Sequence, residues 1–106
     1  MRERVSDEVQ GAIVAVLRRY LPAPGWRLVL FGSFARGQAD RASDIDLAVC
    51  GPEPLAPALA ARIEAALEAE VPMLRRIDLV DLRVAPASLR RRVEEEGVSW
   101  NEPDAA

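Results

Sequence analysis

The sequence contains no lysine, no histidine and no threonine, and Cys50 is its one cysteine. All 14 basic residues are therefore arginines. Without histidine, a Ser-His-Asp or Cys-His relay and a His-ligated zinc or iron site are excluded. Without lysine, a Schiff base, a Walker-A phosphate loop and a lysine-adenylate intermediate are excluded as well. Any enzymatic chemistry must therefore depend on carboxylates, with or without a metal ion.

Long apolar runs and a positive net charge are also missing. The longest apolar stretch, residues 11–17, is far shorter than the roughly 20 residues that span a bilayer. The net charge of -3 disfavours nucleic acid as the main ligand, because phosphate backbones select basic surfaces. A single cysteine suits a reducing cytoplasm. We therefore expect a cytoplasmic protein without membrane contact, built as one domain over residues 1–106 with a loose tail at about 101–106.

Hydrophobic periodicity predicts three helices and three or four strands. The predicted helices are residues 6–20, 54–69 and 87–96; the predicted strands are 26–31, 44–50 and 76–83, with 98–100 as a short edge strand. A single helical turn is predicted near Phe34. The order is helix, strand, strand, helix, strand, helix, which predicts an α/β fold with a small mixed sheet of three to five strands packed against helices.

Two aspartates stand two residues apart in the second predicted strand. Because strand side chains alternate between faces, Asp44 and Asp46 are predicted to point the same way, while Ile45 and Leu47 face the core. Two carboxylates this close repel each other unless a cation lies between them, and Mg²⁺ prefers oxygen ligands of this kind. Taken alone, a D-x-D pair is more often simply the polar face of a strand.

Other residues of suitable chemistry accompany this pair. Gly32 and Ser33 follow a buried strand, where a glycine lets backbone approach a phosphate and a hydroxyl can bind it, although in isolation such a pair is more often an ordinary turn. Arg36 suits phosphate oxygens. Asp78 completes a three-carboxylate cluster if the third strand pairs with the second; the alternative is a charge that answers a neighbouring arginine. Asp81 falls on the opposite face by parity and is the weaker candidate.

The combined pattern resembles the minimal nucleotidyltransferases of the polymerase-β superfamily, over roughly residues 26–97. Those proteins share a Gly-Ser motif, a D-x-D motif one loop later and a third acidic residue on a following strand. Here the motif residues are Gly32 with Ser33, Asp44 with Asp46, and Asp78. Within this superfamily the sequence resembles in particular the MNT antitoxins that pair with HEPN-domain toxins. The resemblance implies a nucleotidyltransferase fold like the palm of polymerase β.

The resemblance also implies a reaction and the residues that perform it. AMP would pass from ATP to a tyrosine hydroxyl of a partner HEPN toxin, with release of pyrophosphate, and the modified toxin would be silenced. The acids would ligate two Mg²⁺ ions, and the third of them would help to deprotonate the attacking hydroxyl. The implied catalytic and metal-binding residues are Asp44, Asp46 and Asp78, and the implied nucleotide-binding residues are Gly32, Ser33 and Arg36.

Two other hypotheses stay open at this stage. The first is a non-catalytic antitoxin that neutralises its partner by binding alone. The second is a transferase that acts on RNA or on a small molecule, and the acidic net charge disfavours its RNA form. Larger relatives carry a further domain for base or acceptor, so here we expect those sites to be shallow or supplied by a partner. The sequence leaves open whether the chain forms homo- or hetero-oligomers.

Two remaining features are predicted to be structural. Trp26 and Trp100 are expected to anchor the core or a partner interface rather than to stack on a base. Three arginines at 90–92 precede three glutamates at 94–96 in the third predicted helix. This charge run is predicted to be a solvated helix face with i,i+4 ion pairs.

Overall fold

A computed structural model describes residues 2–22, 24–72 and 76–100 of the chain. Within these residues the helices and strands follow one another in the predicted order. They are α1 (Asp7–Tyr20), β1 (Arg27–Phe31), β2 (Ile45–Cys50), α2 (Pro57–Glu70), β3 (Ile77–Asp81), α3 (Ala87–Glu96) and β4 (Val98–Ser99). The predicted α/β class is confirmed. No helix in these described stretches is long and apolar enough to cross a membrane.

The four strands form one mixed sheet in the order β3-β2-β1-β4. β1 runs antiparallel to both β2 and β4, whereas β2 and β3 are parallel and are joined through α2. In this register Phe31 lies opposite Asp46, and Asp46 lies beside Asp78. The C-terminal end of β1 therefore meets the N-terminal ends of β2 and β3 at one end of the sheet.

Helices cover both faces of this sheet. On one face α1 and α2 pack against the strands, and the fully buried side chains there are Ile13, Ile45, Leu47, Ile63, Leu67 and Val49. On the other face α3 packs over a smaller cluster, which consists of Val29, Phe31, Ala48 and Val93. Because side chains alternate along a strand, Asp46 shares the α3 face with Ala48 two residues later. The predicted core positions of β2 are thus confirmed.

Some element boundaries differ from the prediction because tertiary contacts set them. α2 begins at Pro57 rather than at residue 54, since the Leu55 backbone N–H donates to the Asp81 carboxylate at 2.7 Å. β3 ends at Asp81 rather than at residue 83, because the same carboxylate accepts the Arg83 backbone N–H at 3.0 Å and turns the chain. Asp44 precedes β2 instead of belonging to it.

Trp26, just before β1, and Trp100, just after β4, are partly buried against the larger core, as predicted. The indole ring of Trp26 packs against Gly51, where an added Cβ would overlap it. The Trp100 backbone N–H donates to the Leu28 carbonyl at 2.8 Å and continues the β4 edge. Residues 33–37 form turns, in which the Arg36 N–H bonds the Gly32 carbonyl at 3.1 Å. The predicted loose tail at 101–106 lies outside the described residues.

Candidate active site

The sheet end described above gathers most of the acids that the sequence singles out. Asp46 is the second residue of β2, and its neighbour in the parallel register is Asp78 of β3. Both lie on the α3 face, since Ile77 and Leu79 pack against the opposite core. Two carboxylates on adjacent strands therefore stand side by side at the point where β1 gives way to the turn at Gly32.

In this arrangement the ionised form of Asp46 is disfavoured. Burial raises the pKa of its carboxyl above the ordinary value, and repulsion by Asp78 and then by Asp44 adds to the effect. Arg92 and Arg36 partly offset the shift, because their positive charges favour the ionised form. A half-buried carboxylate that is repelled by two others is a group that a bound cation would stabilise.

Gly32 is required by the geometry around Asp46. Its backbone adopts a φ of 77°, in the left-handed region that side chains rarely occupy. A Cβ added at Gly32 would overlap the Asp46 carboxyl group, with the Asp46 Cγ at 3.1 Å. The glycine therefore lets the Asp46 carboxylate lie directly against the turn, and Ser33 follows it as a half-buried residue.

Asp44 is exposed and is set in place by the loop that leads to β2. Within that loop the Ser43 hydroxyl accepts the Asp40 N–H at 2.9 Å, and the Asp40 carboxylate accepts the Ala42 N–H at 2.9 Å. On its other side, the Ile45 N–H donates to the Arg76 carbonyl at 2.9 Å. Asp44 thus sits between two fixed segments, close enough to Asp46 to influence its pKa.

Asp78 and Asp81 lie at opposite ends of β3 and have different partners. Asp78 is partly exposed at the site, where its Oδ1 lies 2.8 Å from Arg76 Nε in an ion pair with a well-exposed arginine. Asp78 therefore also forms an ion pair with a neighbouring arginine, which is the alternative interpretation of this residue. Asp81 stands at the far end of β3 and binds two backbone N–H groups, as described above. Asp81 shapes the loop before α2 and lies away from Asp46.

Glu96, the last residue of α3, is a site residue that the sequence does not reveal. Its Oε2 accepts the Gly32 backbone N–H at 2.6 Å, and both of its oxygens accept from Arg36 Nη1, at 3.2 and 3.1 Å. The prediction that residues 94–96 form a solvated face is therefore wrong for Glu96. The predicted i,i+4 contact does exist, with Arg92 Nη2 at 3.9 Å, but the fold turns Glu96 inward.

The acids fit a divalent cation in their chemistry, although they do not form a closed cage. Within residues 2–22, 24–72 and 76–100, no three acidic, histidine or cysteine side chains converge tightly enough to hold a metal ion. Asp44, Asp46 and Asp78 nevertheless supply carboxylate oxygens only, and burial together with repulsion by the other two acids raises the pKa of Asp46. That donor set suits Mg²⁺ or a similar hard ion, with Arg76 as the competing partner of Asp78.

The raised pKa of Asp46 predicts a stability effect that can be measured without any metal. Above the raised pKa, ionised Asp46 destabilises the folded state; below about 3.8, its ordinary value, it is protonated in both states and has no effect. In EDTA at pH 7, Asp46→Asn should therefore unfold at a higher temperature than the wild type. This gain in unfolding temperature should vanish as the pH falls from above the raised pKa of Asp46 to below about 3.8. A wild type that is more stable than the variant at pH 7 would contradict the electrostatic account.

Comparison with known proteins identifies the family. The sequence model of the polymerase beta nucleotidyltransferase family matches residues 26–104. A chain from the structure of a toxin–antitoxin complex with AMP-PNP is 32% identical, with a TM-score of 0.69, over 87% of this chain and 72% of that chain. A structure described as a candidate minimal nucleotidyltransferase is also 32% identical, with a TM-score of 0.66, over 84% of this chain and 86% of the other.

A third structure adds information on a modified partner. It is the complex of a tri-AMPylated HEPN toxin from Shewanella oneidensis with an MNT antitoxin, and a chain in it is 27% identical with a TM-score of 0.70. The match covers 88% of this chain and 69% of that one. No curated protein sequence gives a significant match. The family model spans well over half of the residues, and the chain belongs to the polymerase beta nucleotidyltransferase family.

Proposed function

We propose that this nucleotidyltransferase transfers AMP from ATP, with Mg²⁺, to a tyrosine hydroxyl of a partner HEPN toxin and thereby acts as an antitoxin. The observation that carries the proposal is the position of Asp46. Its carboxylate lies against Gly32, beside Asp78, and is repelled by both neighbouring acids. A nucleotide whose phosphates contact the Gly32 turn would bring its metal ions to these carboxylates.

The turn after β1 supplies the groups that bind phosphate. Ser33 offers a hydroxyl next to Gly32, whose positive φ lets the backbone approach a ligand closely. Arg36 lies one helical turn further on and presents a guanidinium to the same space. An arginine here neutralises charge that develops on the phosphates as the bond to the leaving group breaks.

The three site aspartates are the residues that would hold the metal. Asp44, Asp46 and Asp78 together would ligate two Mg²⁺ ions that arrive with ATP. When bound, such ions withdraw charge from the phosphate oxygens and lower the pKa of a hydroxyl that is about to attack. A divalent ion would also offset the burial and the repulsion by Asp78 and Asp44 that together raise the pKa of Asp46.

The reaction requires no covalent intermediate on this chain. The tyrosine oxygen forms a bond to the α-phosphorus of ATP, while the bond between that phosphorus and the bridging oxygen to the β-phosphate breaks. Pyrophosphate leaves with the electron pair of the broken bond, and Asp78 accepts the phenolic proton. This scheme needs neither lysine nor histidine, and the chain contains neither.

The solved relatives support both the substrate and the partner. One is a toxin–antitoxin complex with AMP-PNP, which is an ATP analogue, and another contains a tri-AMPylated HEPN toxin with an MNT antitoxin. The first relative is 32% identical over most of both chains. A tyrosine is the acceptor that the resemblance in sequence implies, and its hydroxyl is the kind of nucleophile that the carboxylate site can deprotonate.

The test of this proposal is the origin of the transferred group. The purified chain is incubated with its HEPN toxin, Mg²⁺ and ATP labelled at either the α- or the γ-phosphate. We expect label on the toxin from α-labelled ATP only, and none when EDTA removes the metal or when the acceptor tyrosine is replaced by phenylalanine. Label from the γ-phosphate would indicate a kinase, and no label from either substrate would overturn the proposal.

A non-catalytic antitoxin is the second candidate function. It is favoured by the ion pair of Asp78 with Arg76 and by the lack of a three-acid metal cage in the described part of the chain. Such a protein would neutralise its toxin by covering it. The two candidates differ in whether the site aspartates are needed for protection.

A further inference from the structure

We propose that Glu96 is a positioning residue of this site, which holds Gly32 and Arg36 in the arrangement that receives the triphosphate. The inference rests on the proposed function, since it takes the turn that begins at Gly32 to bind phosphate through Ser33 and Arg36, while the Gly32 N–H donates to Glu96. Glu96 lies 64 positions from Gly32 along the chain, and the fold brings it there as the final residue of α3.

One carboxylate restrains both the backbone of the turn and its arginine. The hydrogen bond from the Gly32 N–H to Glu96 is short, at 2.6 Å, and Arg36 Nη1 contacts both carboxylate oxygens. The Glu96 side chain is only 18% exposed, whereas that of Arg36 is 39% exposed, so water screens the bond to the Gly32 N–H less than it screens the ion pair with Arg36. Loss of the carboxylate would free the turn and the guanidinium at the same time.

The backbone that carries Glu96 is itself fixed to β1. The Gly97 N–H donates to the Val93 carbonyl at 2.8 Å, and a Cβ at Gly97 would overlap that carbonyl and the Val29 side chain. Immediately afterwards, Val98 pairs with Leu30 across the β1–β4 ladder. Glu96 therefore enters the site from a closely packed junction, which favours a fixed support over a side chain that swings away when ATP binds.

Arg36 remains able to bind phosphate while Glu96 holds it. Its Nε donates to the Gln38 side chain at 3.2 Å and its Nη1 donates to Glu96. Among contacts to the described residues, these leave the Nη2 amino group for a phosphate oxygen. A guanidinium that is already held on two sides loses less conformational freedom when a ligand arrives, and this strengthens binding.

The test compares Glu96→Ala and Glu96→Gln, with Glu95→Gln as the matched control on the exposed side of the same helix. The measurements are the Kd of AMP-PNP with Mg²⁺, the KM for ATP and kcat for AMP transfer. Glu96→Ala should raise Kd and KM about tenfold and change kcat much less, because Glu96 supports the phosphate-binding turn and does not touch the reacting atoms.

Glu96→Gln keeps an acceptor for the Gly32 N–H without the charge that holds Arg36, so its Kd should lie between those of the wild type and Glu96→Ala. It also keeps the test valid if Glu96→Ala does not fold. In a chain that already carries Arg36→Ala, Glu96→Ala should raise the Kd of AMP-PNP by a smaller factor than it does in the wild type, because both variants disturb the same contact. Full additivity would contradict a role through Arg36.

The result that would overturn the proposal is AMP-PNP binding to Glu96→Ala that equals or exceeds wild-type binding. Tighter binding would mean that Glu96 competes with phosphate for Gly32 and Arg36. The outcome is separable from the proposed function. A wild type that binds AMP-PNP in a Glu96-dependent way but transfers no AMP would refute AMP transfer and leave the positioning role intact.

Discussion

Asp46→Asn should lower kcat/KM for AMP transfer by about 10³-fold or more, because it would remove one of the charged ligands that we propose for the metal-assisted step. Asp46 lies between Asp78 and the Gly32 turn, at the place where nucleotide and metal would meet. Asparagine has nearly the same shape as aspartate and removes the repulsion between Asp46 and its two acidic neighbours. The variant should therefore fold and bind its toxin while losing the reaction.

The matched control for this loss is Asp81→Asn. Asp81 belongs to the same strand as Asp78, but its carboxylate accepts the Leu55 and Arg83 N–H groups at the other end of β3. An amide oxygen can accept those bonds, so Asp81→Asn should retain most of the activity, whereas Asp78→Asn should lose it as Asp46→Asn does. An inactive Asp81→Asn beside an active Asp78→Asn would assign the third catalytic carboxylate to Asp81.

The same variant separates catalysis from neutralisation by binding. If AMP transfer silences the toxin, cells that express the toxin with Asp46→Asn should stop growing even though the two chains still co-purify. Full protection by Asp46→Asn would instead support the non-catalytic antitoxin, because the complex alone would then suffice.

Gly32→Ala is the second variant with a large expected effect, and it should reduce AMP transfer by about 10²-fold or more through misplacement of Asp46. The new methyl group would overlap the Asp46 carboxyl, and the backbone at φ 77° adds a conformational cost of about 1–2 kcal/mol. Asp46 or the turn must move away to make room. Thermal unfolding and AMP-transfer kinetics on the same preparation measure the two consequences separately.

Two other glycines provide controls that separate the effect of backbone strain from the effect of the contact with Asp46. Gly37 has a φ of 71° with nothing within 4 Å of an added Cβ, so Gly37→Ala should lose stability but keep most of its activity. Gly11 lies inside α1 with open space around it, and Gly11→Ala should be neutral or stabilising. Activity losses of equal size at Gly32 and Gly37 would show that backbone strain, and not the contact with Asp46, is responsible.

The order of elements could be predicted from the sequence because each leaves a local signal. The apolar alternation of β2 placed Ile45 and Leu47 in the core, and the structure confirms this. The mixed sheet is confirmed as well, but its strand order and register depend on long-range pairing. From the sequence alone, Asp46 and Asp78 are therefore expected to lie side by side only if β3 pairs with β2, and this pairing is a long-range contact.

Contacts between distant segments account for what the sequence did not reveal. The start of α2 moves to Pro57 because Asp81, which comes later in the chain, holds the backbone of Leu55. Glu96 stands in a run of arginines and glutamates whose periodicity is typical of a solvated helix, and its neighbours Glu94 and Glu95 are indeed exposed. No local pattern distinguishes the one glutamate that the α3–β4 junction turns towards Gly32.

The most direct measurement is the intact mass of the HEPN toxin after co-expression with this chain. With the wild type, the toxin should gain the mass of one or more AMP groups, and fragmentation should place each of them on a tyrosine. With Asp46→Asn, the co-purified toxin should keep its unmodified mass. An unmodified toxin beside the wild-type chain, in cells that are nonetheless protected, would contradict the proposal that AMP transfer is how this protein acts.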